Sequence, residues 1–209
     1  MTVQSVPVKA LRPTQIAVGL LLVKAKRKGL RDRERQPQEL VDFIIENPIR
    51  VVTGLAEQHY VVDHHHLAHA LLDEGFKTAP VVILDDLSKL ALPEFWKQMA
   101  AKGWVYPFDG KGKKQDISAI PKKIREMQDD PYRSLAGFVR ESGGYLKSQT
   151  PYAEFVWAEY YRPLVALKLI KSDFSKALKQ AMKLAHDVKA AHLPGYTKEA
   201  VKKNKSAEQ

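Results

Sequence analysis

The chain has 209 residues, 44% of them hydrophobic and 28% charged, and its 34 Lys and Arg outnumber 24 Asp and Glu to give a formal charge of +10. That length and balance predict a soluble globular protein with one sizeable core or two small ones, and the positive sign points to an anionic partner such as a nucleotide, nucleic acid or acidic surface. The absence of cysteine excludes disulfides, thiolate metal sites and thiol nucleophiles.

Thr2 to Val8 is a β-branched run closed by Leu11-Arg12-Pro13-Thr14, which predicts a strand and a turn whose Thr14 caps a helix from about Gln15 to Lys28, ending at Gly29. Within that helix Ile16 to Val23 is apolar. It is far shorter than the roughly 18 apolar residues of a membrane span and runs into Lys24, Lys26, Arg27 and Lys28 without a cleavage site. It therefore predicts a buried helix face and a cytoplasmic protein with no membrane partner.

Pro37 to Glu46 has helical spacing at Leu40, Phe43 and Ile44, and Asn47-Pro48 ends it. Ile49 to Thr53 and His59 to Val62 predict a hairpin. Asp63 then stands at the N-cap position of a helix with Leu67, Ala70, Leu71 and Leu72 on its apolar face. Glu74-Gly75 ends that helix, and Pro80 to Leu84 reads as a buried strand. Beyond residue 90 the pattern is helical, over Pro93 to Lys102, Asp130-Pro131 to Arg140, Glu154 to Lys171 and Phe174 to Ala191. Pro107 to Asp116, with two glycines and three lysines, predicts a mobile loop. Thr197 to Gln209 predicts a polar, basic flexible tail.

Four histidines fall within six positions in Asp63-His64-His65-His66-Leu67-Ala68-His69. A helix N-terminus carries unpaired N–H groups and partial positive charge, so an anion is favoured there, and imidazole N–H groups would add donors. Phosphate binding by His64, His65 and His66 is the leading expectation, packing the second. A metal on His65 and His69, four apart on one face, is the third, because no glutamate stands in the HExxH position to act as a base.

Asp85-Asp86 follows the last strand. The pair is expected either to form a turn or to lie at the sheet edge nearest the histidines, holding Mg²⁺ or serving as catalytic base together with Asp63. Asp130 is explained by capping, which leaves Arg133, ahead of Tyr132, as a group that the helical part could offer to a pocket. Seven basic residues between Lys24 and Arg35 meet only two acidic ones, so DNA is the rival partner, on charge alone. No recognition helix, zinc finger or aromatic RNA motif accompanies them.

The strand-turn-helix with D-H-H-H resembles the phosphate-binding helix of the ParB/sulfiredoxin superfamily. The motifs LRPTQxxVG (Leu11 to Gly19), DHHHLAHAL (Asp63 to Leu71), DDLS (Asp85 to Ser88), FW (Phe95-Trp96) and DDPYRSLAG (Asp129 to Gly137) together resemble its bacterial ParB-like nuclease group. That resemblance implies an α/β (α+β) fold, a small mixed sheet with helices followed by a helical C-terminal part. The expected organisation is a phosphate- or nucleotide-binding domain over 1–90, a helical extension over 91–196 and the tail over 197–209. It implies phosphate contacts from His64, His65 and His66, with Arg12 and Thr14 closing the pocket around ATP, ADP or CTP, with Mg²⁺, or another phosphorylated small molecule. The sulfiredoxin reaction needs a cysteine that is missing. The glutamate base of the free-serine kinases has no counterpart, since the first acidic residue is Asp32, and the paired arginines of the partition proteins are replaced by histidines. Nucleotide-dependent phosphotransfer or hydrolysis is the leading expectation, and a DNA-associated nuclease or DNA-binding protein the alternative.

Overall fold

A computed structural model describes residues 3–199, and the chain divides into two compact units, 1–129 and 130–209. The expected boundary near residue 90 moves to 129 because the chain after the sheet returns to the first unit and pairs with it.

In the first unit β1 (Val3–Pro7) leads through a single 3-10 turn to β2 (Arg12–Pro13) and β3 (Ala17–Val18). Then come α1 (Leu20–Arg33), α2 (Pro37–Glu46), β4 (Ile49–Gly54), β5 (Gln58–Asp63), α3 (His65–Asp73), β6 (Thr78–Asp86), α4 (Leu92–Ala101) and β7 (Gln128–Asp129). Five strands form a mixed sheet in the order β1-β6-β4-β5-β2, and β3 pairs with β7 in a separate two-stranded sheet. β4 and β5 are the predicted hairpin, antiparallel, with a register shift at Arg50/Val51. Such bulges bend the strand and often stand beside sites.

The alternation of β4 explains the layers. Ile49 and Val51 face a core with Val61, Val81, Leu67, Ala68 and Leu71, which α1 and α3 supply from one side. Val52 turns the other way, onto Ile16, Phe95 and Met99, so α4 covers the opposite face. Gly54 has to be glycine, since an added Cβ would press on the rings of Tyr60 and Phe95.

Three local expectations change. α1 begins at Leu20 and passes through Gly29 to Arg33, so Thr14 does not cap it. Asp63 is the last residue of β5 and His64 holds the N-cap position of α3. The segment around Asp109 is an ordered hairpin: Phe108 and Lys114 form an antiparallel bridge, and Asp109 Oδ1 accepts the N–H groups of Lys111 and Lys113, both at 2.9 Å.

The second unit is helical, with α5 (Pro131–Glu141), α6 (Ala153–Tyr161), α7 (Leu167–Ser172) and α8 (Phe174–Ala185). Asp130 caps α5 as predicted, accepting from the N–H groups of Tyr132 and Arg133. The single helix expected over Glu154 to Lys171 is two, because Pro163 lacks an N–H and clashes with the preceding turn. Tyr132, Leu135, Val139, Tyr145, Trp157 and Tyr161 form the core with the alanines of α8 at 177, 181 and 185. Of the expected tail, residues 200–209 lie outside the described residues.

Candidate functional site

The segment Thr14 to Leu20, between β2 and α1, is fixed almost atom by atom. Thr14 is fully buried, and its hydroxyl donates to the carbonyl of Val61 at 2.7 Å. Its N–H donates to Nε2 of His65 at 3.3 Å. The carbonyl of Ile16 accepts from the Gln128 N–H at 2.8 Å. Gly19 N–H donates to Nε2 of His66 at 3.2 Å, and Leu20 N–H donates to Oδ1 of Asp129 at 3.0 Å. Asp129 thus places a carboxylate at the positive end of α1, in the role expected of Thr14. His65 and His66 both accept backbone N–H groups through Nε2, so in their neutral form the proton sits on Nδ1. They tie the start of α3 to the start of α1, which for these two rings is the packing reading.

His64 differs. It stands at the elbow between β5 and α3 with φ 67° and ψ 30°, a left-handed conformation that a side chain with a Cβ adopts only when its surroundings hold it there. Its N–H donates to Oδ1 of Asp63 at 2.7 Å, and its Nε2 lies 4.0 Å from Oδ2 of that residue. Burial, chiefly, pulls its pKa below the usual imidazole value, and the charges of Lys26 and Arg50 act in the same direction against Asp63 and the Pro48 carbonyl. Lys26 and Arg50 are exposed. Arg50 is the register partner of Asp63 across the hairpin, so the hairpin itself brings this cation to the elbow. The elbow therefore joins a helix N-terminus, two cations and one exposed carboxylate, Asp63.

Arg12, Asp85 and Asp86 do not gather there. Arg12 pairs with Tyr60 in the β2–β5 register, and its guanidinium donates to Oε1 of Gln58 at 2.7 Å and to the Lys122 carbonyl at 2.8 Å. Asp85 and Asp86 sit at the C-terminal end of β6, opposite Val52 and Thr53 of β4, whereas Asp63 is opposite Arg50 near the start of that strand. Val52 and Thr53 lie two and three residues beyond Arg50, about 7 and 10 Å along β4, and so the carboxylate pair lies toward the other end of that strand from the histidines. Asp85 is held by Lys102, which with the Asp86 N–H lowers its pKa, while Asp86 accepts from the Ser88 N–H in the turn. Arg133 belongs to the second unit, where it ion-pairs with Glu154 and lies 4.0 Å over the ring of Phe155.

His69 Nδ1 lies 3.3 Å from Asp73 beside a charge cluster in which Arg27 and Arg31 hold Glu74 and Arg125 holds Asp73. Among the described residues no three His, Asp or Glu groups are placed to hold a metal ion. Lys26 and Arg50 are the site groups that the residue patterns did not single out. Arg50 was within reach, because the hairpin register puts it opposite Asp63. Nothing local distinguishes Lys26 from its neighbours in the basic run Lys24 to Arg35.

Known proteins agree with this architecture. The crystal structure of protein Atu1540 from Agrobacterium tumefaciens is similar at 38% identity and a TM-score of 0.86, over 94% of this chain and 98% of that one. No curated protein matches the chain. No helix among the described residues is long and apolar enough to cross a membrane. The family model described as "Putative ParB-like nuclease" matches residues 4–163, and with the mixed sheet and its histidine-led helix in view, the chain belongs to that ParB-like family.

Proposed function

We propose that this ParB-like protein binds the phosphate groups of a nucleotide or other phosphorylated ligand at the β5–α3 elbow. The observation that carries this reading is that the positive charges of Lys26 and Arg50 both act on the half-buried His64 at the α3 N-terminus. Helix N–H groups and flanking cations attract the same charge, and neither cation forms an ion pair among the described residues. His65 and His66 act behind the contact surface, holding the two helix starts in place. Asp63 supplies one exposed carboxylate, enough for a Mg²⁺ ion whose other ligands are phosphate oxygens and water. Without a metal, the same carboxylate would take a proton from a water or hydroxyl attacking phosphorus, with the cations offsetting charge on the phosphoryl oxygens. A nucleotide ligand would place the protein in the cytoplasm.

The test is a thermal-shift titration with ATP, ADP, CTP and pyrophosphate, with and without Mg²⁺. A ligand of the native state raises the midpoint. A rise that disappears in the Lys26→Ala/Arg50→Ala double variant is the expected result. No rise with any of these ligands, or an equal rise in the variant, would overturn the reading.

The family description favours a second reading, hydrolysis of a nucleic-acid phosphodiester at the same elbow. It shares the phosphate contacts and differs in the scissile bond. Release of nucleotides from a labelled DNA strand, abolished by Asp63→Asn, would select it over nucleotide turnover.

A further inference from the structure

We propose that the hairpin from Tyr106 to Gln115 is a contact element for single-stranded nucleic acid, with Tyr106 and Phe108 stacking on bases and Lys111, Lys113 and Lys114 meeting phosphates. Its residues are not those of the elbow, and the proposal does not depend on what the elbow binds.

The two rings already stack on each other, with centroids 4.4 Å apart and planes 25° apart, and both residues are half-buried. A base has the same flat apolar face, so such a pair extends readily by one more ring. The three lysines that follow are exposed and form no ion pair among the described residues. One carboxylate, Asp109, lies in the hairpin and a second, Asp116, follows it directly, and both are occupied. Asp109 accepts from the backbone of Lys111 and Lys113 and from the Gln115 amide, and Asp116 accepts from the Ser118 N–H. Both have pKa values below the usual carboxylate range.

The hairpin is also held rigid at both ends, so little ordering is left for a ligand to supply. At its root Tyr106 N–H donates to the Thr14 carbonyl at 3.0 Å. At its tip Gly110 N–H donates to Oε1 of Gln128 at 3.1 Å, and a Cβ built on Gly110 would overlap the carbonyl oxygen of Asp129. Only glycine permits that approach. An ordered basic turn with paired aromatics at its base has the two components that a sequence-tolerant single-strand site needs, cations for the backbone and flat rings for the bases.

The experiment measures binding of a fluorescent 20-nucleotide oligothymidylate and of a 20-base-pair duplex by anisotropy, across a salt series. The wild type is expected to prefer the single strand. Lys111→Gln/Lys113→Gln/Lys114→Gln should weaken binding at least tenfold at low salt and make the slope of log K against log salt shallower by about 2. Phe108→Leu keeps the apolar bulk and removes the stacking face; it should weaken binding about tenfold with the slope unchanged. Pyrophosphate shifts should be the same in these variants as in the wild type, which separates the hairpin from the elbow. Absence of single-strand binding, preference for the duplex, or a triple variant with wild-type affinity and slope would each overturn the proposal, whether or not the elbow binds phosphate.

Discussion

The ion pairs of the second unit and the polar groups at the α1 and α3 starts of the first use their side chains in opposite ways, although the first unit has its own charge cluster of Arg27, Arg31 and Arg125 with Asp73 and Glu74. In the second, charged groups bond one another: Arg133 and Arg140 share Glu154, and Arg162 joins Asp130 to Glu159. In the first, the polar groups around the helix starts bond backbone. Thr14, His65, His66 and Asp129 each meet a main-chain N–H or carbonyl, while Lys26 and Arg50 stay exposed. A network that closes on itself stabilises its own fold and leaves nothing for a ligand. One that fixes a loop leaves its charged neighbours available to an anion.

That contrast can be broken most directly in the second unit. Arg133→Ala leaves Glu154 half-compensated in a buried setting and should cost about 3 kcal/mol or more in chemical unfolding, with most of the loss recovered by Arg133→Met/Glu154→Leu. Phosphate binding at the elbow should be unchanged in the double variant; a loss there would give Arg133 the ligand-facing role that its place in the sequence suggested. Gly110→Ala tests the hairpin anchor. The new methyl meets main chain, which cannot rotate away, so a cost of about 2 kcal/mol is expected in the same measurement. His65→Ala removes the acceptor of a buried N–H and should cost about 1 to 3 kcal/mol.

His64 gives the smallest effect and the most specific one. Its folded-state pKa is lowered, so the unfolded chain binds the proton more readily. The associated stability is present above the unfolded imidazole value of about 6.5 and is lost as pH falls below it. Asn tolerates the left-handed conformation and does not titrate. His64→Asn should therefore flatten the unfolding midpoint between pH 7 and pH 5 relative to the wild type, and an identical slope would remove His64 as its source.

What could be read in advance was local. The Asp130-Pro131 cap, the β4–β5 hairpin and the apolar face of α3 all depend on neighbours within a few residues, and the structure has them where the pattern placed them. The α1 start depends on Asp129, 109 residues away, and no window of sequence contains both. The misplacement of Asp85 and Asp86 has the same origin. Their distance from the histidines follows from β6 and β5 flanking β4 in parallel and antiparallel senses, which strand-by-strand reading does not fix. Pro163, by contrast, was in plain view, and its missing N–H should have ended α6. The histidine run suggested an imidazole-rich phosphate cradle. In the structure two of those rings are used to position backbone, and the positive charge comes from Lys26 and Arg50.

On this reading the elbow is an anion site built from helix N–H groups and those two cations. Isothermal titration of the full chain with pyrophosphate, wild type against Lys26→Ala/Arg50→Ala, tests it most directly. Binding should weaken at least tenfold in the variant while the unfolding midpoint without ligand stays within about 2 °C, since exposed cations without ion pairs contribute little to stability. Equal affinity in the two proteins would contradict it.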